Sequence, residues 1–437
     1  MKEIFPNKKA LTKVQVAVIV IVIVVAAIGG LVYYFSQPSG VTEKTEILLG
    51  HVAHLTGFYA YEGTIAAHGT MLAVDDINAE GGVYVEEYGK KLPLRLIVED
   101  DASDPEKTKI ATEKLCTVDN VDFLIAPGGS TWNLAAVPIS EKYHKLCIGW
   151  GGSAEELWTS GFKYYFGFTT VNDLYSATYY AGIIGFLAHY EEWLPEGAPP
   201  PLTVALIGMN NAYGRCAVDK MEELVNEFGV QTVVMKEYFD PKTTDFTPLI
   251  TKIQTTKPDA VIVVGYATQN TNFFRQVIEM KVKEVKIWCP SCWFPQYFLT
   301  LGYDGLEYFF DQQYWINYLS DEARDICQRA QEKWDYDHSL GYFAWGYDGV
   351  YVLAQAIEKA GSLDTEKVRT ALLTETFHSI TYGDITFQEN GVPLVENFEA
   401  KVPIRQVVDH KQVVVWPPEY KEADPIYPPP WDEKYGS

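Results

Sequence analysis

Three segments of this chain decide its fold: ILLGHVAHLTG at residues 47–57, AVDDINAEGG at 73–82 and LPLRLIVEDDASDPEKT at 92–108. The first segment opens with an almost continuous apolar run, which is typical of a strand covered on both faces. A helix follows, because apolar residues recur at spacings of three and four and the second segment ends in two glycines. Those apolar residues are Ala67, Met71, Val74 and Ile77. The third segment is a strand that leads into a helix cap, so the order predicts a parallel sheet, in which ligands bind at the carboxyl ends of the strands.

These segments resemble the type I periplasmic binding proteins, and within them the branched-chain amino-acid (Leu/Ile/Val-binding) receptors of ABC transporters. The resemblance rests on LTG after the first strand, on AVDDINAEGG and on EDDASDPEKT, in this order and spacing, and extends over residues 46–420. It implies an α/β fold with two doubly wound parallel-sheet lobes, joined by three crossings into a clamshell with the ligand between the lobes.

The alternation of strands and helices continues along the chain and predicts two α/β lobes. Strands near 121–126 and 146–150 complete the first series, and a second series begins at residue 202. Extended segments near 166–171 and 309–316 are interpreted as crossings between the lobes. The predicted divisions are a cytoplasmic N-terminus at 1–13, a transmembrane helix or uncleaved signal anchor at 14–35, a linker at 36–45, lobe 1 at 46–168 and 313–380, lobe 2 at 169–312 and 381–420, and an extended tail at 421–437.

The membrane prediction rests on residues 14–35, which contain no charged residue. A helix of about 20 residues crosses the bilayer hydrocarbon at ~1.5 Å rise per residue. Four lysines precede the segment, so the positive-inside rule keeps the short N-terminus in the cytoplasm and sends the body of the protein outside. Cleavage as a signal peptide near residues 26–30 is the alternative. We therefore expect a single-pass N-terminal membrane anchor with an extracytoplasmic body.

The composition disfavours some classes of partner, and it does not determine how the cysteines pair. A net charge of −23 disfavours nucleic acid and anionic membrane surfaces as partners. Cys116 and Cys147 are one candidate disulfide pair. Cys289 and Cys292 form a CxxC, for which a local disulfide or two uninvolved thiols are favoured over redox chemistry. The sequence contains no nucleophile elbow, Walker loop or paired metal ligands, so it predicts a protein that is not an enzyme and that holds no metal or cofactor.

Two Gly-Gly-Ser sequences, at 128–130 and 151–153, each lie between a predicted strand and a predicted helix. Glycines let a ligand approach the backbone, N–H groups at a helix start attract an anion, and a serine hydroxyl adds a donor or acceptor. Together these features describe a cradle for a carboxylate. The alternative is structural: Ser153 with Glu156 forms a capping box, and Ser130 is an ordinary N-cap.

The resemblance implies roles for these residues. In the branched-chain amino-acid receptors, the matching serines and backbone hold the carboxylate and part of the ammonium group of the ligand. The matching residues here are Gly128, Gly129, Ser130, Gly151, Gly152 and Ser153. Tyr213 and Tyr266 match residues with which the second lobe closes over the ligand, and Phe343 matches an aromatic wall residue.

One departure from the family bears on the ligand. The acidic partner of the ligand's ammonium group is replaced here by Ser291, and a buried ammonium without a counter-charge is costly. Either Glu62 or Asp348 replaces that carboxylate, or the ligand has no amine. The aromatic surroundings suit an aromatic or bulky apolar carboxylic acid equally well. They comprise Phe58, Tyr59, Tyr61, Trp132, Trp150 and Trp293.

The sequence therefore predicts an extracytoplasmic solute-binding protein of an ABC importer, whose partners are a small carboxylate ligand, the permease subunits and the membrane. The alternative is the ligand-sensing ectodomain of a receptor that acts through a separate membrane partner.

Overall fold

A five-stranded parallel sheet organises the first part of the chain. The computed structural model describes residues 44–168, 175–290, 295–312, 320–334, 340–380, 382–395 and 403–436. The first seven strands are β1 (Ile47–Ala53), β2 (Val83–Val85), β3 (Lys90–Leu92), β4 (Leu94–Asp100), β5 (Phe123–Ile125), β6 (Cys147–Gly149) and β7 (Tyr165–Gly167). The sheet has the order β4-β1-β5-β6-β7, and β2 and β3 pair separately as an antiparallel hairpin. The predicted parallel α/β sheet is confirmed, and it brings the loops after β1, β5 and β6 to one edge.

The helices of this part are α1 (Ala60–Ala79), α2 (Pro105–Thr117), α3 (Ser130–Lys142) and α4 (Glu156–Thr159). The predicted cap of α2 is confirmed: the Asp104 carboxylate accepts hydrogen bonds from the backbone N–H groups of Glu106 and Lys107, and Pro105 occupies the first turn. Helix α4 follows the second Gly-Gly-Ser sequence, where the sequence predicts a helix. It is only four residues long.

A second, four-stranded parallel sheet follows with the order β11-β10-β8-β9. Its strands are β8 (Thr203–Met209), β9 (Thr232–Phe239), β10 (Ala260–Val264) and β11 (Ile287–Pro290), and the neighbouring helices are α5 (Tyr175–Ala188), α6 (Ala212–Phe228), α7 (Thr247–Thr256), α8 (Ala267–Glu279) and α9 (Pro295–Leu306). Strand β10 is buried along its whole length, as expected of a central strand covered on both faces.

The described residues in the rest of the chain add short strands and four more α-helices. They are β12 (Phe310–Gln312), α10 (Asp321–Trp334), α11 (Leu340–Ala360), α12 (Thr365–Thr374), β13 (Phe377–Ser379), β14 (Gly383–Phe387), β15 (Pro393–Val395), β16 (Ile404–Val408), β17 (Lys411–Trp416) and α13 (Trp431–Tyr435). Two antiparallel sheets, β12-β16-β17 and β13-β14-β15, are formed. The ring of Phe387 in β14 packs 5.4 Å from that of Phe166 in β7.

Helix α11 packs on α1 with the two backbones in contact. A methyl group added at Gly346 would lie 2.0 Å from the carbonyl oxygen of Ala66, and one added at Gly69 would lie 2.0 Å from that of Phe343. Only glycine permits this separation. Helices α11 and α1 are thereby fixed to each other beside the first sheet.

Residues 421–437 are not all extended. Trp431 is buried, and its indole N–H donates to the carbonyl oxygen of Val285 at 2.7 Å. The aromatic side chains of this tail supply apolar area that packs on the second part of the fold.

The predicted membrane span at 14–35 lies outside the described residues. Within those residues, no helix combines the length and the apolar character needed to cross a bilayer. The proposed crossings at 166–171 and 309–316 extend into residues that the structure does not describe, and the lobe boundaries stay predictions.

Candidate functional site

The two Gly-Gly-Ser loops lie side by side because they follow the adjacent strands β5 and β6. The hydroxyl oxygen of Ser130 accepts hydrogen bonds from the backbone N–H groups of Ser153 and Ala154, both at 2.9 Å. Neither serine caps its helix: Gly129 precedes α3, and Glu155 precedes α4. The capping-box alternative is therefore wrong, and the Ser130 hydroxyl joins the loops.

Gly128 allows the first loop to pass beneath an indole ring. Its φ is +89°, and a methyl group added there would lie 2.1 Å from the ring of Trp150. Gly129, with φ +70°, follows in the same conformation. Both the backbone conformation and the close approach require glycine at position 128.

Asn133, in the first turns of α3, joins both loops to the sheet. Its side-chain oxygen accepts from the Gly128 N–H at 3.0 Å, and its amide nitrogen donates to the Trp150 carbonyl and the Tyr165 hydroxyl, each at 3.0 Å. The side chain is fully buried. Asn133 is not among the predicted site residues, because its position three residues after Ser130, in STWN, is its only local signal.

His54 supports the first loop from below. Its Nδ1 lies 2.7 Å from an Asp101 carboxylate oxygen, and its Nε2 lies 3.2 Å from the carbonyl oxygen of Gly128. The imidazole ring of His54 thus lies between the carboxyl group of Asp101 and the backbone of the first loop. Burial, and secondly the charge of His54, lower the pKa of the neighbouring His51 to about 3. His51 is therefore neutral.

A cluster of aromatic rings covers the loops. We call it the site cluster, and its members are Phe58, Tyr59, Trp132, Trp150, Tyr213 and Tyr266. Tyr59 is at its centre: its ring stacks on Trp132 at 4.8 Å and on Trp150 at 6.4 Å, and it contacts Tyr266 at 4.2 Å. Tyr213 stacks on Tyr266 at 5.5 Å. The structure thus brings predicted residues of both sheets together.

Glu62 links the two parts of the fold. One carboxyl oxygen of this fully buried residue accepts from the Ala267 N–H at 2.7 Å, at the first residue of α8. Its other oxygen, Oε2, has no hydrogen-bond partner within the described part of the chain. Burial raises the pKa of Glu62 to about 7, against the opposing effect of the Ala267 hydrogen bond. A carboxyl group that titrates near neutrality can meet either an amine or a hydroxyl of a ligand.

Phe343 and Asp348 contact residues outside the site cluster. The Phe343 ring lies 6.3 Å from that of Trp334. Tyr342 borders the site cluster instead, with its ring 5.6 Å from that of Trp150. Asp348 accepts from the Ser379 hydroxyl at 2.8 Å and the Ile380 N–H at 2.7 Å, which is a structural role. Ser291 and Trp293 lie outside the described residues.

The cysteines show no disulfide among the residues that the structure describes. Cys116 and Cys147 are both free and buried, and burial raises the pKa of the Cys116 thiol to about 11. Cys289 is buried in β11, and Cys292 lies outside the described residues. No group of three or more potential metal ligands is found in the described ranges.

Known periplasmic binding proteins are similar to this chain in sequence. A family model described as periplasmic binding protein matches residues 46–400. A Leu/Ile/Val-binding protein of Rhizobium johnstonii is 26% identical over 364 residues, which cover 79% of this chain and 88% of that protein.

Solved structures show the same fold at lower identity. The branched-chain amino acid transporter substrate-binding protein LivJ from Streptococcus pneumoniae, in complex with isoleucine, has a TM-score of 0.69 and 20% identity, covering 84% of this chain and 98% of that one. A solute-binding protein of an ABC transporter from Rhodopseudomonas palustris, in complex with 3,4-dihydroxybenzoic acid, has a TM-score of 0.69 and 20% identity, covering 88% and 99%. These likenesses establish the fold.

Proposed function

This chain belongs to the type I periplasmic binding proteins, in the branched-chain amino-acid family, whose members bind ligands outside the cytoplasm and are not enzymes, and from that premise we propose that it is the solute-binding component of an ABC importer. Its ligand is an amino acid or a related small carboxylate, including aromatic acids, bound between the two lobes. The relatives that bind leucine, isoleucine and valine and the neighbour that holds 3,4-dihydroxybenzoic acid support both ligand classes.

The observation that carries this proposal is the joined pair of Gly-Gly-Ser loops beneath the site cluster. The Ser130 hydroxyl oxygen accepts hydrogen bonds from the second loop. Its O–H group can therefore still donate a hydrogen bond to a carboxylate of the ligand. The backbone N–H groups of Gly129, Ser130 and Gly152 in the same loops can add donors close to the ligand. The fixed position of both loops, through Asn133 and His54, means that little ordering is needed when the ligand binds.

The second part of the fold would supply the residues that close over the ligand. Tyr213 and Tyr266 would cover the ligand, and the closed form, more populated when ligand is bound, would dock on the permease. Glu62 is the better of the two candidate replacements for the missing counter-charge, because Asp348 is already hydrogen-bonded to Ser379 and Ile380. The ligand then either presents an amine to Glu62 or has no amine.

The remaining predictions belong to the same proposal. Residues 14–35 would anchor the protein in the membrane beside its permease, with the body outside. The lobes would be 46–168 with 313–380 and 169–312 with 381–420. Phe343 and Ser291 remain predicted site residues.

The test is thermal unfolding of the full-length protein against separate panels of amino acids, aromatic acids, other carboxylates and amides. A ligand at ~100 times its Kd that binds only the folded state adds roughly 2.7 kcal/mol to the free energy of unfolding. We expect stabilisation by members of at least one carboxylate panel, and no response to the matched amides, because an amide cannot supply the anion. A protein that responds to no carboxylate, or equally to acids and amides, would contradict the proposed site.

A further inference from the structure

The helices of the second sheet differ in where their N-terminal caps come from. In α6 the Asn211 side chain accepts from the Gly214 N–H at 2.8 Å, and in α7 the Asp245 carboxylate accepts from the Thr247 N–H at 2.9 Å. Both caps come from residues next to the start of the helix, as is usual. The residue before α8 is Tyr266, whose side chain makes no capping hydrogen bond. Helix α8 therefore has no cap of its own.

The cap of α8 is supplied by the first part of the fold. The carboxyl group of Glu62, on α1, accepts from the Ala267 N–H at 2.7 Å, across 205 positions in the chain. Beside it, the Thr268 hydroxyl donates to the Phe58 carbonyl oxygen at 3.3 Å. The free N–H groups at a helix start carry partial positive charge, so an acidic side chain is a suitable partner. Two successive residues at the start of α8 thus bond to the segment that follows β1.

This cap lies next to a predicted site residue. Tyr266 directly precedes Ala267, and its ring lies 4.2 Å from that of Tyr59 and 5.7 Å from that of Trp132. Because Glu62 holds the backbone at Ala267, it also determines where the Tyr266 ring lies over the first loop. Separation of the two parts of the fold would break the cap and withdraw this ring from the site cluster.

The carboxyl group of Glu62 lies in neutral surroundings. It is fully buried, and no charged side chain contributes to its pKa. Tyr59 before α1 and Tyr266 before α8 interact with it, Tyr213 on α6 stacks on Tyr266, and the ring of His54 contacts that of Tyr59. Burial, the largest cause, raises the pKa values of Tyr59 and Tyr266, so both are neutral near pH 7.

One oxygen of this carboxyl group has no hydrogen-bond partner. Oε2 of Glu62 makes no hydrogen bond within the described residues, and the same is true of the indole N–H groups of Trp132 and Trp150 in the site cluster. Burying an ionised carboxylate without a counter-charge is costly. Burial therefore raises the pKa of Glu62 to about 7, against the effect of the Ala267 hydrogen bond. Contact between the two parts of the fold is thus linked to a proton on Glu62.

We propose that Glu62 is a positioning residue for closure: its carboxyl group, on the first part of the fold, caps α8 of the second part and so holds Tyr266 over the site loops. This inference rests on the proposed closure of the two lobes. Opening returns Glu62 to water, where its pKa falls towards the ordinary value of 4.5. Between the two pKa values the closed form keeps a proton that the open form loses, so closure is favoured at low pH. From pH 6 to pH 8 its equilibrium constant should fall about tenfold.

Cys216 offers a direct measure of closure. Its Sγ lies 3.6 Å from the Ser153 carbonyl oxygen, so the thiol of α6 in the second part meets the second Gly-Gly-Ser loop of the first. Cys216 is partly buried, and opening would expose it further. Cys327, also partly buried, serves as the reference thiol. It lies on α10, which the ion pairs of Arg329 and Lys333 join to α1 within the first part.

The test is labelling of the full-length, ligand-free protein with N-ethylmaleimide at pH 6 and pH 8. Peptide mass spectrometry gives the rate at Cys216 relative to that at Cys327. In Glu62→Gln the amide oxygen still accepts from Ala267 but cannot titrate. The relative rate of the wild type, divided by that of Glu62→Gln, should therefore rise about tenfold from pH 6 to pH 8.

Two further variants show whether the cap itself is responsible. Glu62→Ala leaves the start of α8 without its partner, so its Cys216 should react about tenfold faster than in Glu62→Gln at both pH values. Asp348→Asn is the matched control, because the buried Asp348 also accepts from a backbone N–H, that of Ile380, and makes no printed contact with α8. It should be labelled like the wild type at both pH values.

The outcomes separate this inference from the proposed function. Equal pH dependence in the wild type and Glu62→Gln, or faster labelling of the wild type at pH 6 than at pH 8 relative to Glu62→Gln, would overturn the inference. If Glu62→Ala does not fold, the comparison with Glu62→Gln decides alone. Stabilisation by a carboxylate ligand, with no effect of Glu62→Gln on labelling, would overturn the inference and leave the proposed function intact. The expected labelling with no response to any carboxylate panel would overturn the proposed ligand site and leave the cap in place.

Discussion

Two buried aromatic clusters in this protein differ in what surrounds their rings. The site cluster lies over two glycine loops and next to the carboxyl group of Glu62 and the imidazole ring of His54. The second cluster, which we call the core cluster, consists of Phe273, Phe274, Trp288 and Phe309 beside the second sheet, and its rings meet mainly edge to face. The rings of both clusters are buried apart from Phe58, which is 40% exposed, so burial does not identify a site. The neighbouring polar groups and the glycines at positive φ do.

The largest expected effect is that of Gly128→Ala in the site cluster. The added methyl group would collide with the Trp150 ring and would hold an L-residue at positive φ, so we expect a loss of about 4 kcal/mol in the free energy of unfolding and loss of ligand binding. Urea denaturation and titration measure the two effects.

Gly229→Ala is the control for this change. Gly229 has φ +67° and no heavy atom within 4 Å of the added methyl group, so it should cost only about 1 kcal/mol. Equal losses in both variants would show that the approach of Trp150 to the loop is unimportant.

The second prediction concerns pH and Glu62. The folded pKa of about 7 exceeds the ordinary value of 4.5, so between these values the folded protein keeps a proton that the unfolded chain loses. This contribution to stability is complete below pH 4.5 and disappears as the pH rises to about 7, amounting to about 3 kcal/mol. Glu62→Gln cannot titrate and should lack this fall.

Urea midpoints at pH 5, 6, 7 and 8 measure the difference between the wild type and Glu62→Gln. Asp311, whose pKa burial raises to about 6 despite Arg405, contributes a fall of the same sign in both proteins and cancels. Parallel pH profiles would mean that Glu62 is ionised in the folded protein at all these values.

The third prediction compares an asparagine that holds the site loops, Asn133, with an asparagine that holds only the first sheet. Asn133→Ala leaves the Gly128 N–H, the Trp150 carbonyl and the Tyr165 hydroxyl without this partner, so it should cost about 2 kcal/mol and weaken ligand binding.

Asn78→Ala is the matched control, because Asn78 makes a similar double bridge to the backbone of Leu94. That bridge lies at the start of β4, so its loss should reduce stability and leave the Kd unchanged. A Kd that changes equally in both variants would mean that Asn133 acts only through general stability.

The sequence predicts the features of the fold that depend on residues close together in the chain. A continuous apolar run predicted β1, and the sequence Ser-Asp-Pro-Glu predicted the cap of α2, because both signals are local. Strand β7 is three residues long, too short to show a periodicity, and was interpreted as part of a crossing although it is the fifth strand of the first sheet. Helix α12 was not predicted, although Asp364 caps it.

The candidate site was less predictable because its supports join residues far apart in the chain. The glycines and serines of the two loops are recognisable as a pattern, but the pairing of His54 with Asp101 depends on β1 and β4 being neighbours. The link from Glu62 to the start of α8 spans 205 residues. Such contacts arise from tertiary packing, and the spacing of neighbouring residues does not predict them.

The smallest expected effect belongs to Trp288→Phe in the core cluster. This change removes an N–H that has no partner in the described part of the chain, which relieves an unsatisfied donor, and it also removes ring atoms that pack on Phe309. The two effects oppose each other, so stability should change by less than about 1 kcal/mol. Urea denaturation measures it, and Phe309→Ala, which removes packing alone, should cost about 4 kcal/mol as a reference. A large loss from Trp288→Phe would show that its N–H is satisfied, and the two clusters would then differ in their hydrogen bonding as well as in their surroundings.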